Sequence, residues 1–355
     1  MARALTKLAT AALFMVACGS DPPEDRPDPK DCSASWKVVF SPDQEPGVWQ
    51  PRVQILRWHQ GRLYFSTILS ARNGIRSVPE SGGDPLLLYQ GDSWNFWLEG
   101  SDLLYATGAD LYRMPLAGGA AESIYHGHLF DDGRSKLVKD WNLDGDSIYW
   151  MQVQYDQADG WTLWRGLRNG GGDSPVAALP MVDFVDRVSV LPDQLVAVSS
   201  APELWTVRKK DGATRRLPRW QAAPEVLGIS DDGEILWSGY DGADEDGSHW
   251  RYSVARSRVD GSAPQRSWIG KPPHAHPIRA WADGAGGWYV STWELGVDQA
   301  QHVSIFAIDA QGQGTRLACD PEVDSTVNVA AVGPQALYLV TTYSNHYSAI
   351  VAIPR

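Results

Sequence analysis

One short apolar run returns seven times along the chain: Leu63-Tyr64-Phe65, Leu104-Tyr105-Ala106, Ile148-Tyr149-Trp150, Leu195-Val196-Ala197, Ile235-Leu236-Trp237, Trp288-Tyr289-Val290 and Leu337-Tyr338-Leu339. Successive copies lie 40 to 53 residues apart. Each is continuously apolar, which suits a strand buried on both faces. A tight polar turn precedes most copies, as in Gln60-Gly61, Asp144-Gly145 and Asp232-Gly233, and a second turn follows, as in Gly82-Gly83, Gly118-Gly119 and Asp260-Gly261. Two hairpin turns per repeat predict four antiparallel strands. A period of roughly 40–50 residues rich in aromatic and β-branched residues is that of a propeller blade. The pattern predicts an all-β fold, a seven-bladed β-propeller of four-stranded antiparallel blades, with the apolar run as the second strand from the axis.

The last repeat supplies strands at 326–332, 336–343 and 348–353, and its Ile353-Pro354-Arg355 matches Val78-Pro79-Glu80 and Met114-Pro115-Leu116, which stand before the second turn in earlier repeats. A fourth strand is missing there, and Ser35 to Phe40 is a strand-like run without a blade of its own. Pairing it with the third strand of the last blade would close that blade from the N-terminus and cover an open edge. Residues 35–355 are expected to form the propeller.

The segment before it has another character. Arg3 and Lys7 lead into an apolar stretch from Leu8 to Val16, too short for a permanent membrane span. Met15-Val16-Ala17-Cys18 resembles the bacterial lipobox, with Met15 where the pattern prefers leucine. The resemblance implies that residues 1–18 are a lipoprotein signal peptide region, that Cys18 is acylated with palmitate or a similar chain, and that the protein sits in the cell envelope; Gly19 and Ser20 imply the outer membrane. Residues 19–34, with Pro22, Pro23, Pro27 and Pro29 among charges, read as an extended tether.

The chain carries a net charge of −12, which argues against nucleic acid as a partner and leaves the lipid anchor as the link to a membrane. A monomer is expected, because a closed ring of blades packs on itself. With Cys18 acylated, Cys32 and Cys319 remain of three cysteines. Parity in an oxidising compartment suggests a disulfide between them. Their expected positions at opposite ends of neighbouring strands oppose it, since a bridge needs Cα atoms within about 7 Å. From sequence the question stays open.

No Trp-Asp dipeptide ends the repeats, the Ser230 to Trp237 stretch misplaces the glycine of a sialidase Asp-box, and the paired glycines follow the third strand rather than the second as in kelch blades. The Asp144-Gly145 to Trp150 run and the Arg113 to Gly119 turn resemble instead the YWTD, NHL and TolB-like propellers common among bacterial envelope lipoproteins. That resemblance implies a scaffold and little about chemistry.

Loop lengths separate the two ends of the ring. The turns joining first to second and third to fourth strands are short, whereas the opposite face carries long connections near residues 154–160, 239–249, 268–277 and 293–301. Binding residues concentrate on such loops. His249, His274, His276, His302 and His346 are expected on that face with several carboxylates, a composition suited to a divalent metal, zinc or calcium, or equally to solvated loop residues. As a zinc site it requires His249, His302 and one of His274 or His276 to converge. Of 17 tryptophans, Trp161, Trp250 and Trp293 flank the same loops, and with Glu294 they are candidates for stacking on sugars or anchoring a polypeptide. No nucleophile elbow, paired-cysteine or HExxH motif occurs. The sequence therefore points first to a non-catalytic envelope lipoprotein binding a protein, peptide or glycan on the long-loop face. The alternative is a metal-assisted hydrolase or lyase built on the same His/Asp-rich sector.

Overall fold

The computed structural model describes residues 36–41, 52–68, 73–93, 95–108, 110–126, 136–154, 161–180, 185–199, 203–218, 225–243, 250–262, 264–269, 276–295, 301–320, 325–342 and 348–355. They form seven four-stranded antiparallel sheets. After β1 (Lys37–Phe40), blade one holds β2 (Arg52–His59), β3 (Arg62–Ile68), β4 (Gly74–Pro79) and β5 (Leu86–Gln90). Blade two holds β6 (Asn95–Glu99), β7 (Asp102–Thr107), β8 (Asp110–Pro115) and β9 (Glu122–His126). Blade three holds β10 (Lys136–Asp144), β11 (Ser147–Gln154), β12 (Trp161–Leu167) and β13 (Ser174–Leu179). Blade four holds β14 (Val185–Val190), β15 (Gln194–Ser199), β16 (Leu204–Arg208) and β17 (Thr214–Arg216). Blade five holds β18 (Glu225–Ile229), β19 (Glu234–Ala243), β20 (Trp250–Arg258) and β21 (Gln265–Ile269). Blade six holds β22 (His276–Ala282), β23 (Trp288–Leu295), β24 (Gln301–Ile308) and β25 (Gly314–Cys319). Blade seven holds β26 (Thr326–Val332), β27 (Ala336–Thr342) and β28 (Ser348–Pro354).

All seven apolar runs fall in the second strand of a sheet. Adjacent residues of such a strand point to opposite faces, so one run feeds two blade-to-blade seams. Leu103 and Tyr105 pack toward blade one, while Leu104 and Ala106 pack toward blade three. Strand pairing places Leu103, not Leu104, at the first position of the second run, because Arg62 and Asp102 occupy equivalent places opposite Pro79 and Pro115. The core is thus divided among seven apolar clusters, one at each seam of the ring.

β1 occupies the outer edge of the last sheet, where it pairs antiparallel with β28 through Lys37↔Ala352 and Val38↔Val351. Its Val39 is skipped by the ladder, since Phe40 pairs with Ile350. Outer strands elsewhere carry the same single extra residue: Leu88, Ile124, Val176, Ser267 and Leu317. In each case the irregularity lies opposite one repeat position, marked by Phe65, Tyr105, Trp150, Trp237, Val290 and Leu339. A bulge bends and twists the strand that bears it. β1 therefore has the shape of an outer strand, and Val39 packs into the seam between the last and first blades.

The innermost strands leave one backbone edge toward the axis, and its carbonyls need partners. Side chains of the preceding blade supply some of them. Arg57 Nε donates to Phe96 O at 2.7 Å, Asn95 Nδ2 to Trp141 O at 3.0 Å, and Arg187 Nη2 to Val226 O at 2.6 Å.

Candidate functional site

The two ends of the ring are built differently. At the short-turn end, polar side chains tie one blade to the next. Arg168 and Glu99 join blades three and two, and Lys209 and Asp144 join blades four and three. Arg256 Nη1 donates to Gly286 O at 3.0 Å and Nη2 to Asp309 O at 2.6 Å, binding blade five to blade six. Trp288 Nε1 donates to Glu234 Oε2 at 2.6 Å across the same seam, and Trp58 Nε1 and Tyr338 Oη both reach Glu80 Oε2. A cavity of about 1190 Å³ opens among blades four, five and six at this end and runs to the axis, lined by Arg187, Arg256, Arg258, Asp232 and Glu234 among others. Three of its arginines are engaged in blade-to-blade or turn-closing bonds: Arg187, Arg256 and Arg258. The short-turn face is thus concave in this sector.

At the long-loop end of the seam between blades five and six, four rings form a run. Tyr240 of β19 and Tyr252 of β20 are cross-strand partners with ring centroids 6.2 Å apart and edge to face. Tyr252 stacks on His276, the first residue of β22, at 4.2 Å and 14°. His276 in turn meets Trp293 of β23 at 6.0 Å and 76°. Tyr240 is 42% exposed, while Tyr252, His276 and Trp293 are half-buried. Burial lowers the His276 pKa against a smaller opposing pull from Glu225, and burial followed by Glu225 and Tyr240 raises that of Tyr252. Glu225 opens β18 opposite Ser238 of β19, and the lowered pKa leaves the imidazole neutral near pH 7.

Beneath this surface, blade six buries a polar group. Glu294 is 1% exposed, and its Oε2 accepts a hydrogen bond from Ser304 Oγ and lies 3.4 Å from Arg316 Nη1. Its Oε1 has no hydrogen-bond partner among the described residues. Desolvation raises the Glu294 pKa, and Ser304, Arg316 and His302 only partly offset it. His302, also 1% exposed, lies opposite Glu294 in the ladder with Nδ1 3.3 Å from Asp320 O, and Asp320 accepts from Thr341 Oγ1 of blade seven.

Several residues singled out from sequence are placed otherwise than expected. Trp161 is 3% exposed in the seam between blades three and four, because its strand begins inside the apolar layer; it presents no surface for stacking. Glu294 is likewise closed off from solvent. His276 and His302 do not converge. His276 stands at the start of β22 and stacks on Tyr252 of blade five, whereas His302 stands in β24 opposite Glu294 and is buried beside Asp320 O. No group of three or more His, Cys, Asp or Glu side chains able to hold a metal occurs among the described residues. His249, His274, His346, Cys18 and Cys32 lie outside the described residues, as does the side chain of Trp250. Cys319 is disulfide-bonded, with its partner outside the described residues. Trp293 is the one named tryptophan that joins the ring run. Tyr240, Tyr252, Ser304 and Arg316 were not singled out from sequence. Tyr240 lies just inside the 239–249 connection and Tyr252 just beyond it, a placement that would have marked them as candidate cross-strand partners.

No protein-family model and no curated protein matches the chain. Solved structures do. An oligogalacturonate lyase in complex with manganese superposes with a TM-score of 0.65 at 11% identity, covering 93% of this chain and 96% of that one. The β-propeller domain of the Trilobed protease from Pyrococcus furiosus, described as having an open velcro topology, gives 0.55 at 11% identity over 86% and 95%. A puromycin hydrolase gives 0.60 at 13% identity, covering 89% of this chain and 55% of that one. Likeness at such identities shows the propeller fold, which serves unrelated functions.

Proposed function

We propose that the protein is a lipid-anchored, monomeric, non-catalytic binding propeller of the bacterial cell envelope, of the YWTD/NHL/TolB-like kind. In this reading Cys18 carries the acyl chain at the outer membrane, residues 19–34 are the tether, and the long-loop face holds a protein, peptide or glycan. Cys32, the cysteine left once Cys18 is acylated, is then the partner of Cys319. The observation that carries the reading is the contrast between the ends of the ring. The short-turn end spends its charged side chains on blade-to-blade bonds, whereas the long-loop end offers an aromatic run with Tyr240 open to solvent. A rigid platform bearing a partly exposed aromatic anchor is what recognition needs.

Two measurements test it. Palmitate should label the wild type and not Cys18→Ala, which should leave the membrane fraction; an unlabelled wild type would remove the anchor from the reading. A photo-reactive residue at Tyr240 should form adducts in intact envelopes, and one at Ala117 on the short-turn end should not. Adducts from Ala117 alone would move the binding surface to the other face.

A further inference from the structure

We propose that the ring run Tyr240–Tyr252–His276–Trp293 is a platform for neutral oligosaccharides. The proposal rests on the binding reading above and commits it to one ligand class. Pyranose rings present faces of C–H bonds with partial positive charge, which match the negative face of an aromatic ring, and their hydroxyls need acceptors at the edge. The seam between blades five and six supplies both. Tyr240 presents the open ring, and Tyr252, His276 and Trp293, packed in a run behind it at steps of 6.2, 4.2 and 6.0 Å, hold that ring in place. The run is fixed on strands β19, β20, β22 and β23, and Trp293 also packs against the cluster shared with blade seven, so it costs little ordering on binding. Tyr240, at 42% exposure, is where a sugar face meets the run.

Charge decides among sugars. Glu225 stands at the exposed start of β18, paired with Ser238 of β19 two residues before Tyr240, and its charge reaches Tyr252 and His276. A carboxylate there accepts hydrogen bonds from vicinal hydroxyls and repels uronates. His276, kept neutral by burial, brings no compensating positive charge. The chain's net charge of −12 acts in the same direction. The preference therefore runs against acidic glycans, even though an oligogalacturonate lyase shares the fold.

The test is titration of the full-length protein in detergent with cellohexaose, chitohexaose and hexagalacturonate, followed by calorimetry and tryptophan fluorescence. At least one neutral hexasaccharide should bind, and the acidic one should bind at least ~10-fold more weakly. Tyr240→Ala should weaken binding by about 10-fold or more and Tyr240→Phe by no more than about 3-fold, since the ring rather than the hydroxyl carries the stacking. Tyr240→Phe should retain the wild-type melting temperature, and Tyr240→Ala should lower it by no more than about 5 °C, since an exposed ring gives up its edge contact with Tyr252. Absence of neutral-sugar binding, preference for hexagalacturonate, or unchanged binding by Tyr240→Ala would each overturn the assignment. A polypeptide adduct at position 240 with no sugar binding would overturn it while leaving the long-loop binding reading in place. Loss of sugar binding and adducts together would overturn both.

Discussion

Arg168 of blade three grips Glu99 of blade two through two parallel bonds, Nη1 to Oε2 and Nη2 to Oε1, each 2.7 Å long. The fork geometry and the small exposure of the guanidinium make this a stronger tie than a solvated ion pair. It pins one seam at the short-turn end, as Lys209 and Asp144 pin the next.

Arg168→Ala should destabilise the propeller by about 1 kcal/mol, because half-exposed Glu99 keeps water as an alternative partner. The hydrogen bond from Arg168 holds the Glu99 pKa down. Its stabilisation is therefore complete above the ordinary glutamate value and is lost as pH falls through the lowered one. Denaturant melts of the two proteins should converge in acid and separate at neutral pH. Equal separation at every pH would assign the effect to packing.

Glu294 behaves in the opposite sense. Its raised pKa means that the fold prefers the protonated acid, so its contribution is complete below the ordinary glutamate value and declines as pH rises through the raised one. Glu294→Gln keeps the shape without the charge. Its melting temperature at pH 8 should equal or exceed that of the wild type, with a flatter stability profile toward alkaline pH. A large loss at pH 8 would show that the pair with Arg316 outweighs the cost of burial.

Gly228 of β18 faces blade six at such close range that an added Cβ would lie 2.6 Å from Ala280 O and 2.6 Å from the Trp288 ring. Neither can withdraw cheaply, since one is backbone and the other is a buried ring bonded to Glu234. Gly228→Ala should cost about 2–4 kcal/mol by chemical denaturation. A cost below about 0.5 kcal/mol would mean that the seam yields.

Deleting residues 36–41 removes the outer strand of blade seven and withdraws Val39 from the seam with blade one. The melting temperature should fall by roughly 10 °C, for a loss of ~3–5 kcal/mol, and the bared edge of β28 should promote self-association. A monomer that melts at the wild-type temperature would show that the ring does not depend on β1.

The sequence alone determined the number of blades, their four-strand make-up and the strand that carries each apolar run. Those features are written locally: period-2 sheets buried on both faces demand unbroken apolar runs, and hairpins demand glycine at fixed places, as at Gly100 and Gly145. The one-residue shift at Leu103 was hidden because neighbouring leucines are interchangeable to a reader of pattern, whereas the ladder distinguishes them. Only the tertiary structure decided where the site residues stand. Trp161 and Trp293 both stand near strand ends beside long loops, yet one is sealed in a seam and the other joins Tyr240, Tyr252 and His276. His276 and His302 both belong to the same blade, yet one stacks on Tyr252 of blade five and the other is buried opposite Glu294 beside Asp320. The physical reason is that burial and convergence depend on contacts between blades some 40 residues apart, set by strand register and blade rotation, and no local pattern records these.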